Sequence, residues 1–227
     1  MILKFDRVAS DRNDRVDVEI DSLIIAGWAG RDAAAITHHI EELAALGVPR
    51  PSSTPLFYRV SAQTVTQANR LVALGPDSSG EVEPVVVAMA DGLWIGVGSD
   101  HTDRKAETVG VALSKQLCGK PVGTQLWSYA DVEGHWDELI IRSWATIDGE
   151  RVLYQDSSVS ALRTPRDLIR GKTGTAMLPA GTIMFCGTPG AIGGIRPATR
   201  FEMELSDPVL KRSLTHSYDI EVLPVVT

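Results

Sequence analysis

Hydrophobic and polar positions along this chain come in short bursts rather than in long helical runs. Leu23–Gly27 is an unbroken apolar stretch that reads as a buried strand. Leu56–Val60, Val85–Met89 and Leu93–Val97 also read as strands, the last two joined at Asp91-Gly92, a dipeptide that favours a tight hairpin. Leu139–Ile147 and Arg151–Tyr154 repeat that arrangement about Asp148-Gly149, and three more strands are expected at Thr182–Cys186, Phe201–Leu205 and Tyr218–Leu223. Helical patterning is confined to three places. Ala33–Leu46 is opened by Asp32 as N-cap and stopped by Gly47; Thr102–Leu117 is a second helix; Pro165–Arg170 is a short one with proline at its start. The Pro- and Ser-bearing stretches Pro49–Pro55 and Gly75–Gly80 read as loops.

Strands outnumber helices and do not alternate regularly with them, which argues against a doubly wound sheet. The expectation is one α+β domain over residues 1–227, a strand-rich mixed sheet or barrel with a few helices, residues 1–20 forming an N-terminal extension or strand region. Composition changes this picture little. With 44% hydrophobic and 22% charged residues the chain is ordinary for a globular protein. A net charge of −7 argues against nucleic acid as a partner. Neither a signal peptide nor an apolar run long enough to cross a bilayer is visible, so no membrane association and a cytoplasmic location are expected. Cys118 and Cys186 are too few for a disulfide framework or a closed zinc site and read as small buried apolar residues.

The chemistry gathers around Glu81-Val82-Glu83, directly before the apolar run that starts at Pro84. In a strand, side chains alternate faces, so Glu81 and Glu83 project together. Two adjacent carboxylates repel unless one is protonated or a cation bridges them, and carboxylate oxygens suit Mg²⁺, Mn²⁺ or Ca²⁺. Taken alone, Glu-x-Glu fits a solvated acidic edge better. Asp100 shifts the balance, because the Asp91-Gly92 hairpin returns it to the start of the first strand, beside the two glutamates. Asp100 as a turn residue or helix cap is the competing reading. On the first helix, His39 and Glu42 are three apart and share a face, as a base and its orienting carboxylate would. His38 and Glu41 have the same spacing, so register alone does not choose between the pairs, and a surface pair is the plain alternative.

Other motifs fail. Gly171-Lys172-Thr173 lacks the glycine five residues before Gly171, where Arg166 stands. Gly96-Val97-Gly98 meets His101 where a dinucleotide fingerprint needs glycine. Asp100-His101-Thr102-Asp103 has no zinc spacing, and no G-x-S-x-G elbow is present.

In order along the chain, these pieces resemble the fumarylacetoacetate hydrolase superfamily from about Leu23 to Val225. Leu23–Gly27 with Arg31-Asp32 looks like its opening strand, and Pro55–Arg59 like its Pro-x-x-Phe-x-Lys strand. Glu81-Val82-Glu83 matches its Glu-x-Glu metal motif, and Gly98-Ser99-Asp100 with Arg104 its Asn-Asp-x-x-x-Arg segment. Lys115, Pro121 and Gly123 resemble Lys-Ser-x-Asp … Pro-x-Gly, and Asp148-Gly149-Glu150 with Gln155 its Asn-Gly-Glu … Gln hairpin. Pro179–Thr182 followed by Gly187-Thr188-Pro189-Gly190-Ala191-Ile192-Gly193 resembles Pro-Gly-Asp … Gly-Thr-Pro-x-Gly-Val-Gly, the most specific element. Ser99, Arg59, Cys118 and Trp28-Ala29-Gly30 depart from the family pattern, and Asp207–Ser217 replaces a glycine-rich hairpin, as in a divergent bacterial branch of undefined role.

The resemblance implies a β-roll or barrel of the family's C-terminal-domain type, a homodimer, and a small dicarbonyl or 2-oxo carboxylate as ligand. It implies Mg²⁺ (or Mn²⁺ or Ca²⁺) on Glu81, Glu83 and Asp100, stabilising an enolate as a carbon–carbon bond breaks. His39 with Glu42 would activate water, and Lys115 would hold the oxyanion or the substrate carboxylate. Arg31, Arg59 and Arg104 are candidate anion clamps, and Gly187 and Thr188 candidate pocket-lining donors. Trp127, Trp136 and Trp144 read as core or interface. The function expected is hydrolysis of a 2,4-dioxo or acylpyruvate-type acid. A decarboxylase, hydratase or isomerase on the same metal site, or a non-catalytic metabolite-binding protein, is the alternative.

Overall fold

The computed structural model describes residues 1–45 and 47–226, including every side chain among them except that of His39. In chain order the first strands are β1 (Ile2–Val8), β2 (Asn13–Glu19), β3 (Ser22–Gly27), β4 (Leu56–Val60), β5 (Val65–Thr66), β6 (Arg70–Leu74), β7 (Ser78–Ser79), β8 (Val82–Met89) and β9 (Gly92–Ser99). They continue as β10 (Thr102–Asp103), β11 (Lys120–Pro121), β12 (Gln125–Ser128), β13 (Ile140–Ile147), β14 (Glu150–Ser158), β15 (Thr182–Phe185), β16 (Arg200–Asp207) and β17 (Arg212–Leu223). The helices are α1 (Ala33–Ala45), α2 (Arg104–Glu107), α3 (Val111–Leu117), α4 (Tyr129–Val132) and α5 (Pro165–Thr173). None is long and apolar enough to cross a membrane.

Two sheets carry the fold. One has eight strands in the order β2-β1-β12-β9-β8-β15-β3-β4, the other five in the order β14-β13-β16-β17-β6. Both are mixed: β1 with β12, β15 with β3, and β17 with β6 run parallel, among otherwise antiparallel neighbours. The strand-rich α+β architecture expected from the sequence is therefore the one observed. Its central strands explain the unbroken apolar runs. β8 and β9 are buried along nearly their whole length because both faces are covered. Val82, Val86 and Ile95 pack toward Phe201, Met203 and Leu205 of the second sheet, whereas Val85, Val87 and Trp94 pack on the far side with Phe5, Ile25 and Phe185. In the second sheet β13 and β16 alternate buried and half-exposed positions, as one covered face requires.

Several boundaries differ from the sequence reading for physical reasons. Thr102–Leu117 is not one helix. Asp103 leaves the β10 strand and caps α2, its carboxylate accepting from Ala106 N at 2.8 Å, and α2 ends after one turn. Gly110, extended at φ 175°, then starts α3. The β8–β9 hairpin turns on Ala90-Asp91, with Met89 facing Gly92, one residue earlier than the Asp-Gly pair suggested. The N-cap of α1 holds: Asp32 Oδ1 accepts from Ala34 N at 2.8 Å and Ala35 N at 3.1 Å. The predicted last residue of that helix, Leu46, lies outside the described residues. β17 begins at Arg212, six residues earlier than predicted, because its exposed polar residues pair along β16 from Asp207 onward.

Candidate metal centre

The hairpin sets the centre. Val82 faces Ser99 and Glu83 faces Gly98, and Asp100 N donates to Glu81 O at 3.0 Å, so the register carries Asp100 back to the two glutamates. One oxygen from each of Glu81, Glu83 and Asp100 lies within 4.8 Å of the other two. Asp100 is fully buried and Glu83 nearly so, while Glu81 keeps 18% of its side chain exposed.

Two lysines meet Asp100. Lys115 on α3 donates to Asp100 Oδ2 and stands 3.9 Å from Glu81 Oε2. Lys120 on β11, wholly buried, stands 3.0 Å from Oδ1 and donates to the His101 carbonyl at 2.5 Å. That oxygen has no partner besides the Lys120 ammonium among the described residues. Burial pushes the Asp100 carboxyl up, but the two ammonium groups outweigh it and lower it to about 2. Glu83 goes the other way. Burial raises it well above the usual carboxylate range, the Asp100 charge adds to that, and neither Lys115 nor the Gly187 N–H at 2.6 Å from Oε2 offsets them.

This donor set fits a hard divalent cation. Three convergent carboxylates, one of them a glutamate whose ionisation is opposed by burial and by the neighbouring Asp100 charge, are what such an ion would complete. Glu81 and Glu83, but not the buried Asp100, border a cavity of about 470 Å³ whose lining also includes Lys115, Ala35 and Ile36 of α1 and the loop 187–190.

Gln155 ties that loop to the centre. Its Oε1 accepts from Val82 N at 3.0 Å and Ser143 Oγ at 2.9 Å, and its Nε2 donates to Thr188 Oγ1 at 2.7 Å and Pro189 O at 2.6 Å. Thr188 Oγ1 in turn donates to Val82 O at 2.9 Å. Behind Asp100, His101 bonds Tyr218 OH at 3.0 Å and Ser78 Oγ at 2.9 Å, and burial lowers it to about 3, so its ring is neutral. Tyr218 OH passes its proton to Ser99 Oγ, which leaves Nδ1 of His101 as the donor in that pair.

The remaining predicted residues are placed unequally. Gly187 and Thr188 line the cavity, as does Arg31, but Arg31 is held by Asp137 at 2.5 Å and by the Leu162 carbonyl at 2.6 Å. Arg104 reaches Glu81 at 3.0 Å and Glu107 at 3.2 Å and donates to Ser79 at 2.7 Å, bordering a smaller cavity of about 90 Å³. Arg59 is not brought to the centre. Facing Ile24 across the β3–β4 pair, it donates to Ser22 and borders a separate depression with Asp21 and Gln63.

Glu42 meets His38 rather than being left to His39 alone. The two groups stand 3.2 Å apart, both largely exposed and neither bordering the cavity. The His39 side chain lies outside the described residues. Lys120 and His101 were missed in the sequence. Nothing local separates Gly119-Lys120-Pro121 from a loop lysine, and only the three-dimensional path of β11 brings it to Asp100.

Solved structures share this fold across most of the chain. The protein Cg1458 aligns at 18% identity with a TM-score of 0.62, covering 95% of this chain and 83% of its own. A 2-keto-3-deoxy-D-arabinonate dehydratase, solved with magnesium and 2,5-dioxopentanoate, aligns at 14% identity and a TM-score of 0.60, covering 94% and 78%. The yeast fumarylacetoacetate hydrolase family protein ynq8 aligns at 16% identity and 0.59, covering 91% and 95%. No curated protein matches in sequence. The fold is thus the one these proteins share. Residues 26–218 match the profile of the DUF2848 family, described as a protein of unknown function, and the chain belongs to that family.

Proposed function

We propose that this chain is a divalent-metal-dependent hydrolase that cleaves a carbon–carbon bond in a 2,4-dioxo or acylpyruvate-type acid. The observation that carries the reading is the convergence of Glu81, Glu83 and Asp100 within 4.8 Å at the edge of a cavity that also exposes Lys115. Bound Mg²⁺, Mn²⁺ or Ca²⁺ supplies Lewis-acid stabilisation of charge developing on substrate carbonyl oxygens. Lys115 holds the substrate carboxylate beside the centre, and Gly187 fixes Glu83 through its N–H. His39, oriented by Glu42, takes a proton from water, whose oxygen joins the acyl carbon as the bond to the pyruvyl methylene breaks. That methylene takes a proton, so one acid and one pyruvate leave. The natural partner is a small carboxylate with paired carbonyls, and the working form is a homodimer.

A second reading keeps the cation and changes the outcome to elimination or decarboxylation. It is supported by the shared fold of the magnesium-bound dehydratase.

The test begins with thermal-shift titration and elemental analysis. Mg²⁺, Mn²⁺ or Ca²⁺ stabilises the wild type, and Glu81→Ala with Glu83→Ala removes that stabilisation; no response to any divalent ion sinks the reading. A panel of acylpyruvates and 2-oxo acids then separates the outcomes. His39→Ala abolishes acylpyruvate hydrolysis while His38→Ala leaves it, and turnover unchanged in His39→Ala removes the proposed base.

A further inference from the structure

The cavity beside the centre carries the metal-facing charges at one end, formed by Glu81, Glu83 and Lys115, and Arg31 and Asp32 are the charged residues that border it elsewhere. Gly187 marks the boundary: its N–H holds Glu83, and a Cβ built on it would lie 2.8 Å from Ala29 Cβ and 3.6 Å from Leu162 Cδ2. One residue beyond the carboxylates the wall is therefore aliphatic. Gly30 continues it, since a Cβ there would meet Ile36 Cγ1 at 3.3 Å and the Ala161 carbonyl at 3.9 Å.

The polar groups on this side are already engaged or repulsive. Arg31 is neutralised by Asp137. The first amides of α1 are met by Asp32, whose carboxylate also borders the cavity. Ser160 Oγ pairs with Ser158 Oγ at 2.9 Å, and because the single Ser158 proton goes to the Asp137 carbonyl, Ser160 is the donor there. A substrate tail that carried a second carboxylate would face Asp32 with no unpaired cation among the described lining residues, and a hydroxylated tail would find few partners there.

We propose that the end of the cavity away from the carboxylates takes an uncharged aliphatic group, selected by Ile36 and Leu162 and guarded against dianions by Asp32. The substrate is then a monocarboxylate with an alkyl tail, neither a dicarboxylate nor a sugar acid. This rests on the metal-site reading above for the binding of the 2-oxo head.

Calorimetry on the full chain with saturating Mg²⁺ tests both parts separately. The probes are pyruvate, 2-oxobutanoate, 2-oxopentanoate and 2-oxohexanoate, with 2-oxoadipate as the dianion of the same length as the last. Affinity is expected to rise about fourfold per added methylene. 2-Oxoadipate is expected to bind about tenfold more weakly than 2-oxohexanoate. Ile36→Ala and Leu162→Ala flatten the rise while leaving pyruvate affinity in place. Asp32→Asn, which keeps an N-cap and removes the charge, narrows the gap between the two six-carbon acids. A flat length series, or 2-oxoadipate binding as tightly as 2-oxohexanoate, overturns the proposal while pyruvate binding still supports the metal site. Pyruvate failing to bind at all overturns the metal-site reading and this one with it. The wild-type comparison of the two six-carbon acids decides the matter even where a variant fails to fold.

Discussion

Asp100 and Asp207 are both completely buried carboxylates, yet they are built for different ends. Asp207 closes the β16–β17 turn. It accepts from Val209 N at 3.1 Å, Leu210 N at 3.0 Å and His135 Nε2 at 3.0 Å, and meets Arg212 Nε at 3.3 Å. Donors that are mostly its chain neighbours satisfy both oxygens. Asp100 instead meets two lysines from other elements, one at each oxygen, and lies against two more carboxylates that border the cavity. Burial of a charge therefore does not mark a site. An unfinished shell of like charges does.

The sharpest way to break the comparison is to neutralise each aspartate in turn. Asp100→Asn should remove the divalent-ion shift in melting temperature and lower turnover about a thousandfold. Asp207→Asn should keep the ion response and lose about 3 kcal/mol of stability, measured by urea unfolding, because a buried charge loses its pairing. An Asp207 variant that lost the ion response would erase the distinction.

Gly187→Ala comes next. At φ 97° and with Ala29 in the way, a side chain there should cost about 2 kcal/mol and also disturb Glu83, so melting temperature and ion affinity should fall together.

Protonation separates the regions by sign. Asp207 is held below its ordinary 3.8: burial opposes this, but the Leu210 N–H, His135 and Arg212 outweigh it. Its stabilising effect is full above pH 3.8 and lost as pH falls through the lowered value, a loss that Asp207→Asn should not show. Glu83 is raised, so in chelator its effect favours folding below about its ordinary 4.5 and is lost as pH rises through the raised value. Glu83→Gln or saturating Mg²⁺ should flatten that second slope. The smallest effect belongs to His38→Ala, which should shift the melting temperature by no more than about 1 °C, since the exposed pair with Glu42 is solvated.

What could be read in the sequence follows the distance over which the information acts. Glu81, Glu83 and Asp100 were legible because strand alternation and one hairpin, all within twenty residues, bring them together. The cap at Asp32 and the proline start of the helix at Pro165 were equally local. Lys120 was not legible, since a lysine between glycine and proline carries no pattern and its partner is fixed by β11 pairing with β5. The break in Thr102–Leu117 was hidden for a related reason. Its apolar spacing fits a helix, but β10 pairs with β7 and holds Thr102 and Asp103 extended. Arg59 was drawn to the centre by motif order, while the strand's pleat points it to the other face.

The Gln155 amide carries a further consequence in terms of how the molecule opens. One fully buried side chain links the first residue of β8, Ser143 on β13 and two positions of the loop 187–190. None of these segments can exchange its amides without releasing the others, so they form a single cooperative unit with the protection of the global unfolding reaction. α1, whose residues are mostly exposed, shares no such link and should exchange its amides at lower free energy. One wall of the cavity, α1, is then expected to exchange its amides by local opening, and the facing loop 187–190 only with global unfolding.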